Sequence, residues 1–172
     1  TGITHLFNAM SQFAGREPGM VGAALAHAEL WCGIIVDGFH VHEKSIAAAW
    51  RAKRPGKLFL ISDAMAPVGA QMDSFVSAGE EISVRDGCCR TSDGRLAGSA
   101  LDMASAVRNC VRDISIPLDE ALRMAATYPA EFLQLNHSLG KIEAGFDASL
   151  VWLDKELAVR ATWINGDCEQ YE

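Results

Sequence analysis

Apolar and polar positions along the chain fall into three successive strand–helix units. "GITHLF" is a short, mostly apolar run, followed after a loop by the helix-like "GMVGAALAHAEL" (Gly19–Leu30). "WCGIIVD" (Trp31–Asp37) reads as a buried second strand, and "HEKSIAAAWRAKR" (His42–Arg54), rich in strong helix formers, as its helix. "KLFLISD" (Lys57–Asp63) is the third strand. Its helix is "SALDMASAVRNCVRD" (Ser99–Asp113), with Ala100, Met103, Ala104, Val107 and Val111 on one apolar face. Continuous apolar strands alternating with helices predict a parallel α/β sheet covered on both faces. In such sheets ligands and catalytic groups gather at the carboxyl edge. Each strand here ends in polar residues: His5 and Asn8, Asp37 and His40, then Asp63. Three units are too few to close a barrel, so the pattern describes either an open sheet or part of something larger.

Between the third strand and its helix lies "GEEISVRDGCCRTSDGRLAGS" (Gly79–Ser99). Its alternation, with Asp86-Gly87 and Asp93-Gly94 at turn positions, predicts a hairpin inserted in the loop near 79–98. "PLDEALRMAATYPAEFLQL" (Pro117–Leu135) reads as a helix starting near Pro117, with a second short one started by Pro129. Beyond Gly140 the pattern switches to strands, with Asn165-Gly166 as a turn signal. The expected division is 1–139 for the α/β part and 140–172 for a small β part.

Composition narrows the functional classes. The formal net charge is −7, with 15 basic against 22 acidic residues. The densest basic cluster, Arg51, Lys53, Arg54 and Lys57, reads as a solvated helix end, which argues against nucleic acid or an anionic membrane as partner. The five cysteines are odd in number and lack any C-x-x-C spacing, which argues against a disulfide framework or cysteine zinc site. It favours a reducing, cytoplasmic setting. No apolar run is long enough for a membrane helix. Nucleotide-binding glycine loops and nucleophile elbows are absent. The four tryptophans read as core residues.

Six motifs in order then decide the resemblance: "THLFNAM", "GREPGM", "CGIIVDGFHV", "LISDAMAPVG", "GRLAGSALDM" and "GKIEAGFDASLV". Together they resemble the carboxyl-terminal half of the N-acetylglucosamine-6-phosphate deacetylases, within the amidohydrolase superfamily. The resemblance implies a (β/α)8 TIM barrel, here its last three strand–helix units, followed by strands of a small β-sandwich domain. It implies hydrolysis of N-acetylglucosamine 6-phosphate to glucosamine 6-phosphate and acetate, a divalent metal cofactor (zinc first), and a homodimer. It also implies that the chain starts just upstream of the sixth barrel strand, so that further metal ligands lie outside it and the chain alone is inactive.

The resemblance also assigns residues. His5 corresponds to a metal-ligand histidine, and a strand end holds an imidazole rigidly for that purpose. Asp63 corresponds to the catalytic aspartate, which takes a proton from water and returns it to the departing amine. Pro67 and Gly69 argue against the alternative of a helix-capping aspartate. His40 corresponds to a substrate-contacting histidine that polarises the carbonyl. Asn8, Ala9 and Arg16 correspond to the phosphate-recognition set, with Arg16 reaching a neighbouring subunit's substrate. Leu96, Ala97 and Gly98 correspond to a substrate-contacting loop, with Ser99 available as a helix N-cap. His27, His42 and His137 carry no motif and read as structural or exposed. Two alternatives stay open: another amidohydrolase acting on a related amide or N-acetyl sugar, and a catalytically silent chain that only binds sugar phosphate.

Overall fold

In the computed structural model, which describes residues 1–171, the three apolar runs form one parallel sheet. Its strands are β1 (Gly2–Ile3), β2 (Trp31–Ile34) and β3 (Leu58–Leu60), in that spatial order. Cys32 pairs with both Ile3 and Leu58, so the three carboxyl ends lie side by side. All three elements are shorter than their apolar runs, but the pairing outlasts the regular strands. Leu6 N donates to Gly33 O (2.8 Å) and Ile61 N to Ile34 O (3.0 Å).

Helices α1 (Gly19–Ala26), α2 (Glu43–Ala52) and α3 (Met103–Arg112) follow the three strands. The expected first helix ends early, at His27, where the backbone turns extended. His42 is exposed and structural, as expected. It is the N-cap of α2, its ring accepting from Lys44 N at 3.2 Å. Ile34, Ile35, Val36, Ile46, Leu60, Val107 and Met124 fill the core between sheet and helices. The buried face of α3 runs through Ala106, Val107 and Cys110, with Met103 and Val111 of the expected stripe packed against the same core. That stripe assumed a start at Ser99, whereas the helix is capped by Asp102, whose Oδ1 accepts from Ser105 N at 2.8 Å. Ser99 is a strand residue instead.

The inserted segment is larger than a hairpin. Strands β4 (Ser74–Ser77), β5 (Glu80–Arg85), β6 (Cys88–Thr91) and β7 (Leu96–Ser99) form a four-stranded antiparallel meander. Asp86 and Gly87 both take positive φ (51° and 78°), the geometry of a tight hairpin turn with right-handed strand twist. Toward the carboxyl end, α4 (Leu118–Leu122) and α5 (Tyr128–Phe132) are joined by a π-helical stretch, Arg123–Thr127. The widened spacing lies just ahead of Pro129, which has no amide to donate and whose ring crowds a regular helical carbonyl.

Strands β8 (Leu150–Leu153), β9 (Val159–Ile164) and β10 (Asp167–Gln170) form an antiparallel sheet. It is tied to α3, where the Arg108 and Arg112 guanidiniums donate to Leu157 O (2.7 Å) and Glu156 O (2.9 Å). Val151, Trp152 and Ile164 on this sheet are exposed, so Trp152 departs from the expected core role. Lys53 departs from the expected solvated helix end in the opposite sense. It is buried, and its Nζ donates to Ala24 O (2.7 Å) and His27 O (2.6 Å), satisfying carbonyls at the end of α1. All five cysteines are free, four of them buried. Among the described residues no helix is long and apolar enough to cross a membrane.

Candidate active site

The carboxyl edge of the parallel sheet brings three sequence-selected groups into neighbouring positions. His5 follows β1, the Asp37–His40 pair follows β2, and Asp63 follows β3. Asn8 and Ala9 lie in the same loop as His5. Leu96, Ala97 and Gly98 lie on β7, which runs directly against Asp63. Arg16 stands apart, at the apex of a tight turn closed by reciprocal hydrogen bonds between Ala14 and Glu17 (3.0 and 3.3 Å), with its side chain exposed.

The His5 loop is built from unusual backbone. His5, Phe7 and Ala9 take positive φ (37°, 78° and 51°), a region that costs ordinary L-residues about 1–2 kcal/mol each. The zigzag is locked on itself, since Asn8 N donates to His5 O at 2.8 Å and His5 Nδ1 lies 3.0 Å from Asn8 O. A carbonyl oxygen can only accept, so His5 Nδ1 carries a proton, and in the neutral ring Nε2 then keeps its lone pair. That tautomer, fixed by a carbonyl behind the ring, suits a metal-ligating histidine. The donor chemistry of His5 therefore fits a divalent metal through Nε2. Among the described residues no cluster of three or more His, Cys, Asp or Glu side chains is gathered to complete such a site.

Asp63 has the same backbone signature, with φ 52°. Its position is set from β7. Ser99 N donates to Asp63 O (2.8 Å), Met65 N donates to Ser99 O (2.8 Å), and Ser99 Oγ bonds Ser62 O. Ser99 is 1% exposed and makes a short parallel bridge with Ala64. It therefore clamps the Asp63 segment rather than capping a helix. Gly98 (φ 70°) allows this approach. A Cβ there would stand 2.5 Å from Met65 Cγ and 3.0 Å from Asp63 O.

On β2's extension the Asp37 and His40 side chains are 5% and 6% exposed, with Asp37 Oδ2 2.6 Å from His40 Nδ1. Asp37 Oδ1 accepts from the Phe39 and His40 amides, both at 2.9 Å. Burial alone pushes the Asp37 carboxyl up, but these hydrogen bonds, led by the His40 ring, outweigh it and hold the group below the usual aspartate range. Asn109 Nδ2 of α3 donates to Val36 O (2.7 Å), steadying the chain just before the pair. Asp37, which the sequence puts at a strand end without a role of its own, and Ser99, which it offers only as an N-cap, thus support the site. The D-G-x-H spacing carried a signal for Asp37, whereas nothing local distinguishes Ser99 from a capping serine.

A model of the amidohydrolase family matches residues 2–168. The chain belongs to the amidohydrolase family. This amidohydrolase is 48% identical over 168 residues to the N-acetylgalactosamine-6-phosphate deacetylase of Shewanella sp. (strain ANA-3), a match covering 97% of this chain and 42% of the relative. It is 36% identical over 165 residues to the N-acetylglucosamine-6-phosphate deacetylase of Vibrio furnissii, covering 96% of this chain and 41% of that protein. Against the crystal structure of N-acetylglucosamine-6-phosphate deacetylase from Pasteurella multocida, the amidohydrolase has a TM-score of 0.95 at 42% identity. That match covers 99% of this chain and 45% of the solved one. The chain spans less than half the length of these three relatives.

Proposed function

We propose that this chain supplies the carboxyl-terminal share of a metal-dependent deacetylase acting on N-acetylglucosamine 6-phosphate. The observation that carries the reading is the position of His5, His40 and Asp63 after adjacent strands of one sheet, with β7 backbone bonded to the Asp63 segment. In this reading the parallel strands are the last three of a (β/α)8 barrel. Residues 1–139 form the barrel share with its insertion, and residues 140–172 contribute to a small β-sandwich. One imidazole does not hold a catalytic metal, so the remaining ligands come from outside these residues. The enzyme works in the cytoplasm as a homodimer.

A divalent metal, zinc first, bound through His5 Nε2 would supply water activation at neutral pH and polarisation of the acetamide carbonyl. Asp63 accepts the proton released as water attacks the carbonyl carbon. It then delivers that proton to the sugar nitrogen as the C–N bond breaks, leaving acetate and a free amine. His40 contacts the acetamide oxygen, and the β7 backbone at Leu96, Ala97 and Gly98 lines the acetamido group. Asn8, the Ala9 amide and Arg16 receive the phosphate, Arg16 through its charged fork and across the dimer.

A second reading concerns the sugar alone. The 48% identical relative carries the name of a galactosamine-phosphate deacetylase, so the C4 epimer is the competing substrate. Acetate release from both 6-phosphates and both unphosphorylated sugars, by the longest native polypeptide containing these residues, tests both readings. The phosphorylated sugars are preferred, and the ratio of kcat/KM between epimers names the substrate. Arg16→Ala lowers kcat/KM for the phosphorylated sugar by about tenfold to a hundredfold, the worth of one charge-assisted hydrogen bond, and leaves the unphosphorylated sugar unchanged. Equal loss on both substrates removes Arg16 from the phosphate set.

A further inference from the structure

We propose that Asp37 is the positioning residue of His40, holding its ring by Nδ1–H so that Nε2 alone faces the substrate. This rests on the reading of His40 as the substrate-contacting histidine. Three donors converge on the Asp37 carboxylate: the Phe39 and His40 amides on Oδ1 at 2.9 Å, and the His40 ring on Oδ2 at 2.6 Å. Gly38 (φ 81°) provides the turn that lets one side chain reach all three. The two amides pin Oδ1, which fixes where Oδ2 points and so the plane of the imidazole. Both side chains are almost fully buried, so water does not compete for these contacts.

The proton assignment follows from the donor inventory. A carboxylate has no proton to give, so the 2.6 Å contact requires His40 Nδ1 to be the donor. In the neutral ring Nε2 then carries a lone pair. When Nε2 takes a proton, the positive ring forms against a buried carboxylate already in place, and Nε2–H becomes a donor for an acetamide oxygen. Asp37 thus serves both protonation states of the ring, always through Nδ1. Without that anchor the ring is free to rotate or to carry its proton on the wrong nitrogen.

Asp37→Asn makes the distinctive test. The two backbone amides require an acceptor, so the asparagine carbonyl takes the Oδ1 place and its NH2 faces the ring. Nδ1 must then accept, which moves the neutral ring's proton to Nε2. Nitrogen-15 spectra of histidine-labelled protein report this directly, with His40 assigned by its disappearance in His40→Asn. The protein used is the longest native polypeptide containing these residues. In the wild type Nδ1 is the protonated nitrogen of the neutral ring, and in Asp37→Asn the pattern inverts. Turnover falls by roughly ten- to a hundredfold, a range familiar for residues that orient a functional histidine, with a smaller change in KM. A wild-type ring protonated at Nε2, or no inversion in Asp37→Asn, overturns the assignment. An inverted ring with unchanged turnover overturns its catalytic relevance. Full turnover in His40→Asn instead overturns the substrate role of His40, separately from the spectroscopic result.

Discussion

Asp63→Asn is expected to lower turnover about a thousandfold while leaving the fold intact. The magnitude follows from its proposed role as general acid–base, a kind of group that typically contributes about 10²–10⁴-fold. Retained folding has two physical grounds. Asp63 is an exposed residue whose side chain fills no core space. Its backbone sits at φ 52°, and asparagine tolerates the left-handed region better than most residues that have a Cβ. The clamp on this segment is also backbone, through Ser99 N to Asp63 O and Met65 N to Ser99 O, and asparagine leaves it unchanged. Acetate release and thermal unfolding, measured together, check the claim. Near-normal turnover by Asp63→Asn removes the residue from the chemistry.

Gly98→Ala produces the second-largest effect, and by a different route. The new Cβ meets Met65 Cγ at 2.5 Å and Asp63 O at 3.0 Å, on a backbone already at φ 70°. The left-handed conformation alone costs about 1–2 kcal/mol once a Cβ is present. Relieving the contacts pushes β7 away from Asp63, lengthening the 2.8 Å bond from Ser99 N. A displacement of about 1 Å at a catalytic group is worth roughly a hundredfold in rate. Turnover should therefore fall about a hundredfold, and Tm by about 3–8 °C, for a destabilisation of roughly 1.5–2 kcal/mol in a chain of this size. A variant that loses stability without losing turnover shows that β7 does not set the position of Asp63.

Much of this edge was legible in the sequence because parallel strands carry a plain signature. Runs such as "CGIIVD" and "LFLISD" are apolar without alternation and stop abruptly at a polar residue. That pattern alone puts His5, His40 and Asp63 at successive strand ends. Backbone strain was not legible. Nothing in "HLFNAM" marks Phe7 or Ala9 for positive φ, because the conformation is set by hydrogen bonds the folded loop closes, Asn8 N to His5 O and Leu6 N to Gly33 O, rather than by residue preference. Ser99 departs from its expected N-cap role for a related reason. A serine ahead of an apolar-periodic run fits an N-cap, but its hydroxyl found Ser62 O, and Asp102 took the cap three residues later. The basic cluster failed at Lys53, whose ammonium is consumed by carbonyls ending a helix more than twenty residues earlier. Long-range satisfaction of that kind leaves no trace in a local pattern.

That this edge belongs to a metal-dependent amino-sugar phosphate deacetylase is our proposal. Its most direct test is acetate release from N-acetylglucosamine 6-phosphate, and from its C4 epimer, by the longest native polypeptide containing these residues. The release is measured before and after metal chelation and again after zinc is restored. One acetate is expected per sugar turned over, with activity lost on chelation and recovered with zinc. A folded, zinc-loaded protein that leaves both amides intact contradicts it.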